Sequence, residues 1–274
     1  MTAPPGFDTP WFDAHCHFDF DALDQTREGD WALAQSLGVT GLMIPGITRA
    51  QTEGALQKGY GVSARYHLLF GLHPYWCNLH QPEDLGWLDD MLRRHRPVAL
   101  GEAGTDRILA KQSDIDLETQ WRWLMAQIEL AEAHKLPLVL HIRGTHDEVA
   151  AELRRRRFSY GGMVHAFSGS LQQGRHWHDL GFGLGVGGAM THPRAHRLRQ
   201  TLSGLPLEAL LLETDAPDMK PAFLARDTNT PAMIPLYGAM LARLRNKMAM
   251  ADLAEQLQQN LYRIFPALAV ISSE

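Results

Sequence analysis

Asp116–Arg143 reads DLETQWRWLMAQIELAEAHKLPLVLHIR. Leu117, Trp121, Leu124, Ile128 and Ala131 recur at three- and four-residue steps, so the spacing predicts a helix over 116–134 with one apolar face. Pro137 then opens PLVLHIR, a run apolar almost throughout, as suits a parallel strand covered on both faces. A helix followed by a buried strand is half of a strand–helix repeat.

Outward from this stretch, runs of the same kind occur eight times: WFDAHCHF, VTGLMIP from Val39, YHLLFGL from Tyr66, PVALGEA from Pro97, PLVLHIR, GMVHAF from Gly162, FGLGVG from Phe182 and ALLLETD from Ala209. Their starts lie roughly 20 to 40 residues apart, enough for one helix per connection. Residues 230–265 read as one or two closing helices. A length of 274 residues fits two small domains or one large barrel. Eight strand–helix units, with no linker between two halves, predict a single-domain (β/α)8 TIM barrel over 11–268, preceded by a Pro-rich lead-in at 1–10. An open doubly wound sheet would need a Gly-rich phosphate loop after the first strand, and none follows it.

The composition, 45% hydrophobic and 21% charged, is that of an ordinary globular protein. No apolar run is long enough to span a membrane, so no membrane partner is expected. The opening MTAPPGFDTP has neither a basic end nor an apolar stretch and does not read as a secretory signal. Two cysteines, Cys16 and Cys77, imply no disulfide framework and suit a reducing cytoplasm. A net charge of −5 argues against a broad basic surface for nucleic acid. Arg154–Arg157 is the one basic cluster in this reading, and it suits a solvated helix end.

In such barrels chemistry collects at the C-terminal ends of the strands. Run one ends in His15 and His17, run three in His73, run four in Glu102 and Asp106. Run five ends in His141 and Arg143, run six in His165 and run eight in Asp215. If run one stays extended, His15, His17 and Asp13 share a face and Cys16 points the other way. A lone strand-end histidine is ordinary, and Glu102 or Asp215 alone could cap a helix. Metal-binding side chains at most of the eight strand ends point instead to a metal centre. Six imidazole and carboxylate ligands exceed what one tetrahedral ion uses, but suit two ions sharing a carboxylate and a hydroxide. The expected cofactor is therefore two divalent metal ions, Zn, Mn or Mg, with nitrogen-rich ligation favouring Zn, Mn, Fe or Co over Mg. One layer below, Asp13 and Glu213 are expected to accept hydrogen bonds from ligand imidazoles or nearby donors.

The segments FDAHCHFDF, GLHP, GEAGTD, LPLVLHIR, VHAFSGS and LLLETDAP resemble, in order, the signature segments of the TatD-type metal-dependent deoxyribonucleases of the amidohydrolase superfamily. SGSLQQ and GVGGAMTHPRA resemble its YjjV-like branch. The resemblance runs from about Phe12 to Phe265. It implies a TIM barrel, a two-metal hydrolase, and ligands at His15, His17, Glu102, His141, His165 and Asp215. This chain departs from the pattern at Gly104-Thr105-Asp106-Arg107, where an aromatic neighbour of the substrate is usual. It also has Ile142 in place of a serine, and Asn229-Thr230-Pro231 where Asn-Glu-Pro is common.

The expected mechanism has Glu102 bridging two ions, with His15, His17 and Asp215 on one and His141 and His165 on the other. Asp215 accepts the proton of the attacking water, Arg143 steadies the phosphoryl oxygens, and His73 orients a non-bridging oxygen. The expected substrate is a DNA end or a small phosphodiester, with no obligate protein partner. An amide, ester or lactone hydrolase is the alternative. Many such relatives bridge their metals with a carboxylated lysine, whereas strand four offers Glu102. A non-catalytic metal-binding scaffold would show a degraded site, and no expected ligand is missing.

Overall fold

Alternating apolar runs and amphipathic segments give alternating strands and helices. The structure, a computed structural model, describes residues 10–61, 63 and 65–271. The expected lead-in falls almost wholly outside them. The strands are β1 Trp11–Asp13, β2 Val39–Ile44, β3 Tyr66–Leu68, β4 Leu100–Asp106, β5 Leu138–Arg143, β6 Gly162–Val164, β7 Phe182–Val186 and β8 Leu210–Leu212. Between and after them lie α1 Arg27–Ser36, α2 Arg49–Gln57, α3 Glu83–His95, α4 Arg107–Gln112, α5 Leu117–His134, α6 His146–Arg156, α7 Leu171–Asp179, α8 His196–Gly204, α9 Ile234–Leu244, α10 Met250–Ile264 and α11 Pro266–Ile271. Among the described residues no helix is long and apolar enough to cross a membrane.

All the strand ladders are parallel, in the orders β1–β2–β3 and β4 through β8. Two thin seams close the ring into a (β/α)8 barrel. At one, Phe70 bridges Leu100, and the Gly101 N–H donates to the Phe70 carbonyl at 2.9 Å. At the other, the Ala14 N–H donates to the Leu212 carbonyl at 2.9 Å and the Asp215 N–H to the His15 carbonyl at 2.8 Å.

The seam beside β3 is held by a helix. Gln127 of α5 accepts from the Leu72 N–H at 2.8 Å and donates to the Leu72 carbonyl at 2.9 Å. Two turns earlier, Gln120 accepts from the Asp106 N–H at 2.6 Å and donates to the Asp106 carbonyl at 3.2 Å. Each amide does what a neighbouring strand would do for the backbone. Both are fully buried, so the inward face of α5 is less apolar than the sequence count implied. Its start is as expected: the Asp116 side chain accepts from the Thr119 N–H at 2.7 Å.

The core has two layers. Leu42, Ile44, Leu68, Leu138, Leu140, Val164, Leu184, Leu210 and Leu212 belong to the layer between strands and helices. Met43, Leu69, Ala99, Val139, Met163 and Leu211 belong to an inner cluster, joined from below by Ile264, Phe265 and Leu268. Strand alternation then stacks chemistry on the inner cluster. His141 lies two residues above Val139, His165 two above Met163, and Glu213 and Asp215 two and four above Leu211.

Several strands are shorter than their apolar runs, because the chain leaves the ladder before the polar residues. β1 is the clearest correction: it ends at Asp13, and bends follow at Ala14 and His15. Ala14 packs in the inner cluster while Cys16 packs in the outer one, so unbroken alternation through His17 does not hold. The bend, not the pleat, aims the two histidines.

Candidate metal centre

Glu102 organises the mouth of the barrel, and its side chain is fully buried on β4. Its two oxygens face different groups of imidazoles. Oε2 lies 3.2 Å from His15 Nε2 and 3.6 Å from His17 Nε2. Oε1 lies 2.9 Å from His165 Nε2, 3.0 Å from His73 Nε2 and 3.2 Å from His141 Nδ1. Asp215 Oδ1 completes the first group, 3.4 Å from His15 Nε2 and 3.5 Å from His17 Nε2. It is 3.9 Å from His165 Nδ1. All six residues expected as ligands therefore meet in one pocket, and His73 joins them.

The donor set fits cations. Glu102 Oε2, Asp215 Oδ1, His15 Nε2 and His165 Nδ1 are buried without a hydrogen-bond partner among the described residues. Buried polar atoms left unpaired are costly unless a ligand satisfies them. Three overlapping sets have metal-binding geometry: His15, His17 and Glu102; His73, Glu102 and His141; His15, His165 and Asp215.

Electrostatics agree. Burial pushes the Glu102 carboxyl up, but the imidazoles of His165, His73 and His15 outweigh it and hold the group well below the usual range. Burial pulls His165 down, and the Glu102 charge and hydrogen bond more than reverse this, to about 10. Burial takes His15 and His73 down to about 4 and raises Asp215 to about 7, against the pull of His165.

The rim positions these groups. Asp106 ends β4 and caps α4, accepting from the Ile108 N–H at 2.7 Å and the Leu109 N–H at 2.9 Å. Its Oδ2 accepts from the Tyr75 hydroxyl at 2.9 Å and lies 3.4 Å from His141 Nε2. With Nε2 turned to Asp106, His141 presents Nδ1 to Glu102. Tyr75, on the turn after His73, was not singled out in the sequence, where no spacing marks it. Arg143 Nη1 stands 3.8 Å from Asp106 Oδ2, and its side chain is 55% exposed.

Of the two kinds of partner expected for Asp13 and Glu213, both take nearby donors and neither takes a ligand imidazole. Asp13 accepts from the Thr214 N–H at 2.8 Å and the Thr214 hydroxyl at 2.5 Å. Thr214 precedes Asp215, whose φ is +56°. Glu213 accepts from the Ala166 N–H at 2.6 Å, just after His165, where φ is +46°. Each carboxylate thus braces a left-handed bend beside a site residue. Gly185 makes room for Glu213, since a Cβ there would sit 2.3 Å from Oε2.

The departures from the family pattern have local explanations. Ile142 is buried in the outer core, away from the pocket. Arg107 pairs with Glu148 at 2.5 Å. Thr230, in place of the usual Glu, accepts from the Ala232 N–H at 3.3 Å, while Asn229, which keeps to the pattern, donates to the Thr214 carbonyl at 2.8 Å and accepts from the Tyr237 hydroxyl at 3.2 Å, anchoring the end of β8.

Comparison with known proteins places this site in context. The family described as TatD related DNase matches residues 12–266. A protein of Escherichia coli K12 described as the uncharacterized metal-dependent hydrolase YjjV is 37% identical over 258 residues, 93% of this chain and 97% of its own. Its crystal structure superposes with a TM-score of 0.84 at 36% identity, covering 93% of this chain and 98% of that one. A Pantoea protein described as the 3'-5' ssDNA/RNA exonuclease TatD is 29% identical over 262 residues, 93% of this chain and 98% of its own.

Proposed function

The chain belongs to the TatD related DNase family of metal-dependent hydrolases, and from that premise we propose that it is a two-metal phosphodiesterase acting on DNA ends or small phosphodiesters. One observation carries the reading: the two oxygens of Glu102 face two separate groups of imidazoles. A bridging carboxylate needs that arrangement. The Pantoea relative's description as an exonuclease on single-stranded DNA and RNA supports the substrate class.

In this reading Glu102, His15, His17 and Asp215 would hold one divalent ion, and Glu102, His141 and His165 the other, with His73 facing Glu102 Oε1. Such ions supply an acidified water and positive charge for the phosphoryl oxygens. Asp215 would accept the attacking water's proton and return it to the leaving oxygen. A neighbouring dication would favour its carboxylate form, against the upward push of burial. Arg143 donates two parallel hydrogen bonds to the phosphoryl group. Asp106 and Tyr75 fix the ring of His141. Free, buried Cys16 and Cys77 fit a cytoplasmic protein.

Metal-stripped protein reconstituted with Zn, Mn or Mg tests the proposal against DNA and RNA oligonucleotides, cyclic nucleotides, bis(4-nitrophenyl) phosphate, simple esters and lactones side by side. Chelator-sensitive cleavage of phosphodiesters is expected. Ester or lactone turnover with phosphodiesters left intact would overturn it.

A further inference from the structure

Residues 180–207 contain Arg194, Arg197, Arg199, His192 and His196 and no Asp or Glu, in a chain of net charge −5. The cations of this strip are dispersed along the chain, unlike the adjacent arginines of Arg154–Arg157. It leaves the barrel after β7, between the strands that end at His165 and Asp215, and so begins on the mouth side. Arg199 builds the turn: Nη1 donates to the His192 carbonyl at 2.7 Å and the Met190 carbonyl at 3.0 Å, and Nη2 to the Pro193 carbonyl at 3.0 Å. Arg194 and Arg197 are exposed.

Several other surface cations face carboxylates: Arg107 faces Glu148, Arg27 Asp24, Lys58 Asp21, Lys220 Asp227 and Arg226 Asp30. Among the described residues neither Arg194 nor Arg197 has such a partner. α8 begins beside them with Ala195 at its cap position and no side-chain acceptor, so its N–H groups add potential of the same sign. The strip is tied to the mouth. The Ala222 N–H donates to Thr191 Oγ1 at 2.9 Å, and His192 Nε2 lies 3.2 Å from the Lys220 carbonyl, on the connection that starts at Asp215. Carboxylates near this face are Asp218 and Asp227 on that connection and Asp179 and Glu208 at the ends of the strip.

We propose that Arg194 and Arg197 form a track for the phosphate backbone of a single nucleic-acid strand whose end occupies the metal centre; this rests on the phosphodiesterase reading above. A narrow track on an acidic protein suits one flexible strand, whereas a duplex presents a rigid, doubly charged face.

The test is fluorescence anisotropy of a labelled ten-nucleotide oligothymidylate with chelator-treated protein across a salt series. Parent is compared with Arg194→Glu/Arg197→Glu and with Arg154→Glu/Arg157→Glu, the same charge change at the far end of α6. The strip variant should bind at least about tenfold more weakly, with a salt slope shallower by about 1.4, from about 0.7 per lost contact. The α6 variant should stay within about twofold of parent. Equal loss in both, or loss in neither, would overturn the track. If the double glutamate misfolds by thermal melt, Arg194→Gln/Arg197→Gln must show the same direction with a smaller loss, and parent-like binding there overturns the track equally. Binding is read without metal, so it stands apart from the hydrolysis reading. Turnover of bis(4-nitrophenyl) phosphate by the loaded parent judges that reading.

Discussion

The two ends of this barrel are built on the same strands to opposite specifications. At the lower end Met43, Leu69, Val139, Met163 and Leu211 pack against Ile264, Phe265 and Leu268 in a continuous apolar cluster. Two residues further along the strands, equally buried positions hold imidazoles and carboxylates, several without a partner. The lower end stabilises the fold; the upper end leaves buried polar groups unmatched, a cost that folding bears only where a ligand offsets it. Substitutions should therefore separate turnover from stability according to which end they touch.

Glu102→Ala should have the largest effect. Turnover should fall by several orders of magnitude while circular dichroism and melting of the metal-free protein show a folded barrel. An unfolded variant would mean that the two ends are not separable. Asp215→Asn keeps an oxygen for the cation but cannot take a proton, and should lose roughly 10²- to 10⁴-fold in kcat with metal saturating. Recovery to parental kcat on adding Zn or Mn would reduce Asp215 to a ligand. Arg143→Lys should cost about tenfold on phosphodiesters, the scale of one charge-assisted hydrogen bond, with metal content unchanged. Unchanged kinetics would leave Arg143 as a surface partner of Asp106.

The lower end answers in stability alone. Phe265→Ala should destabilise by about 3–5 kcal/mol in urea unfolding, with kcat per folded molecule unchanged. A loss of kcat would show that packing below tunes the site above. The subtlest test is pH. Burial lowers His67 to about 4 from an ordinary 6.5. The unfolded chain then binds a proton that the folded one refuses. The contribution of His67 is present above about 6.5 and is lost as pH falls toward about 4. His67→Phe should flatten the acid limb of the urea midpoint over that window, and an unchanged limb would contradict the assignment.

Much of this was legible in the sequence because both ends follow strand periodicity. Run five predicted β5 with His141 at its end, and the strand ends named every residue now converging on Glu102. The rest depends on contacts that spacing does not encode. His15 and His17 are aimed by a bend after Asp13. Gln120 and Gln127 look like interruptions of an apolar helix face until Asp106 and Leu72 are seen beside them. Asp13 and Glu213 brace backbone turns, as only the left-handed φ values at Asp215 and Ala166 make plain. Tyr75 reaches Asp106 across 31 positions of sequence.

The central claim is that one carboxylate at the upper end holds two cations together. Metal-stripped protein should be titrated with Zn or Mn, and bound metal counted per chain by elemental analysis after removal of the free ion. The account predicts two equivalents in the parent and a lower count in Glu102→Ala. A single equivalent in the parent at saturation, or two retained by Glu102→Ala, would contradict it.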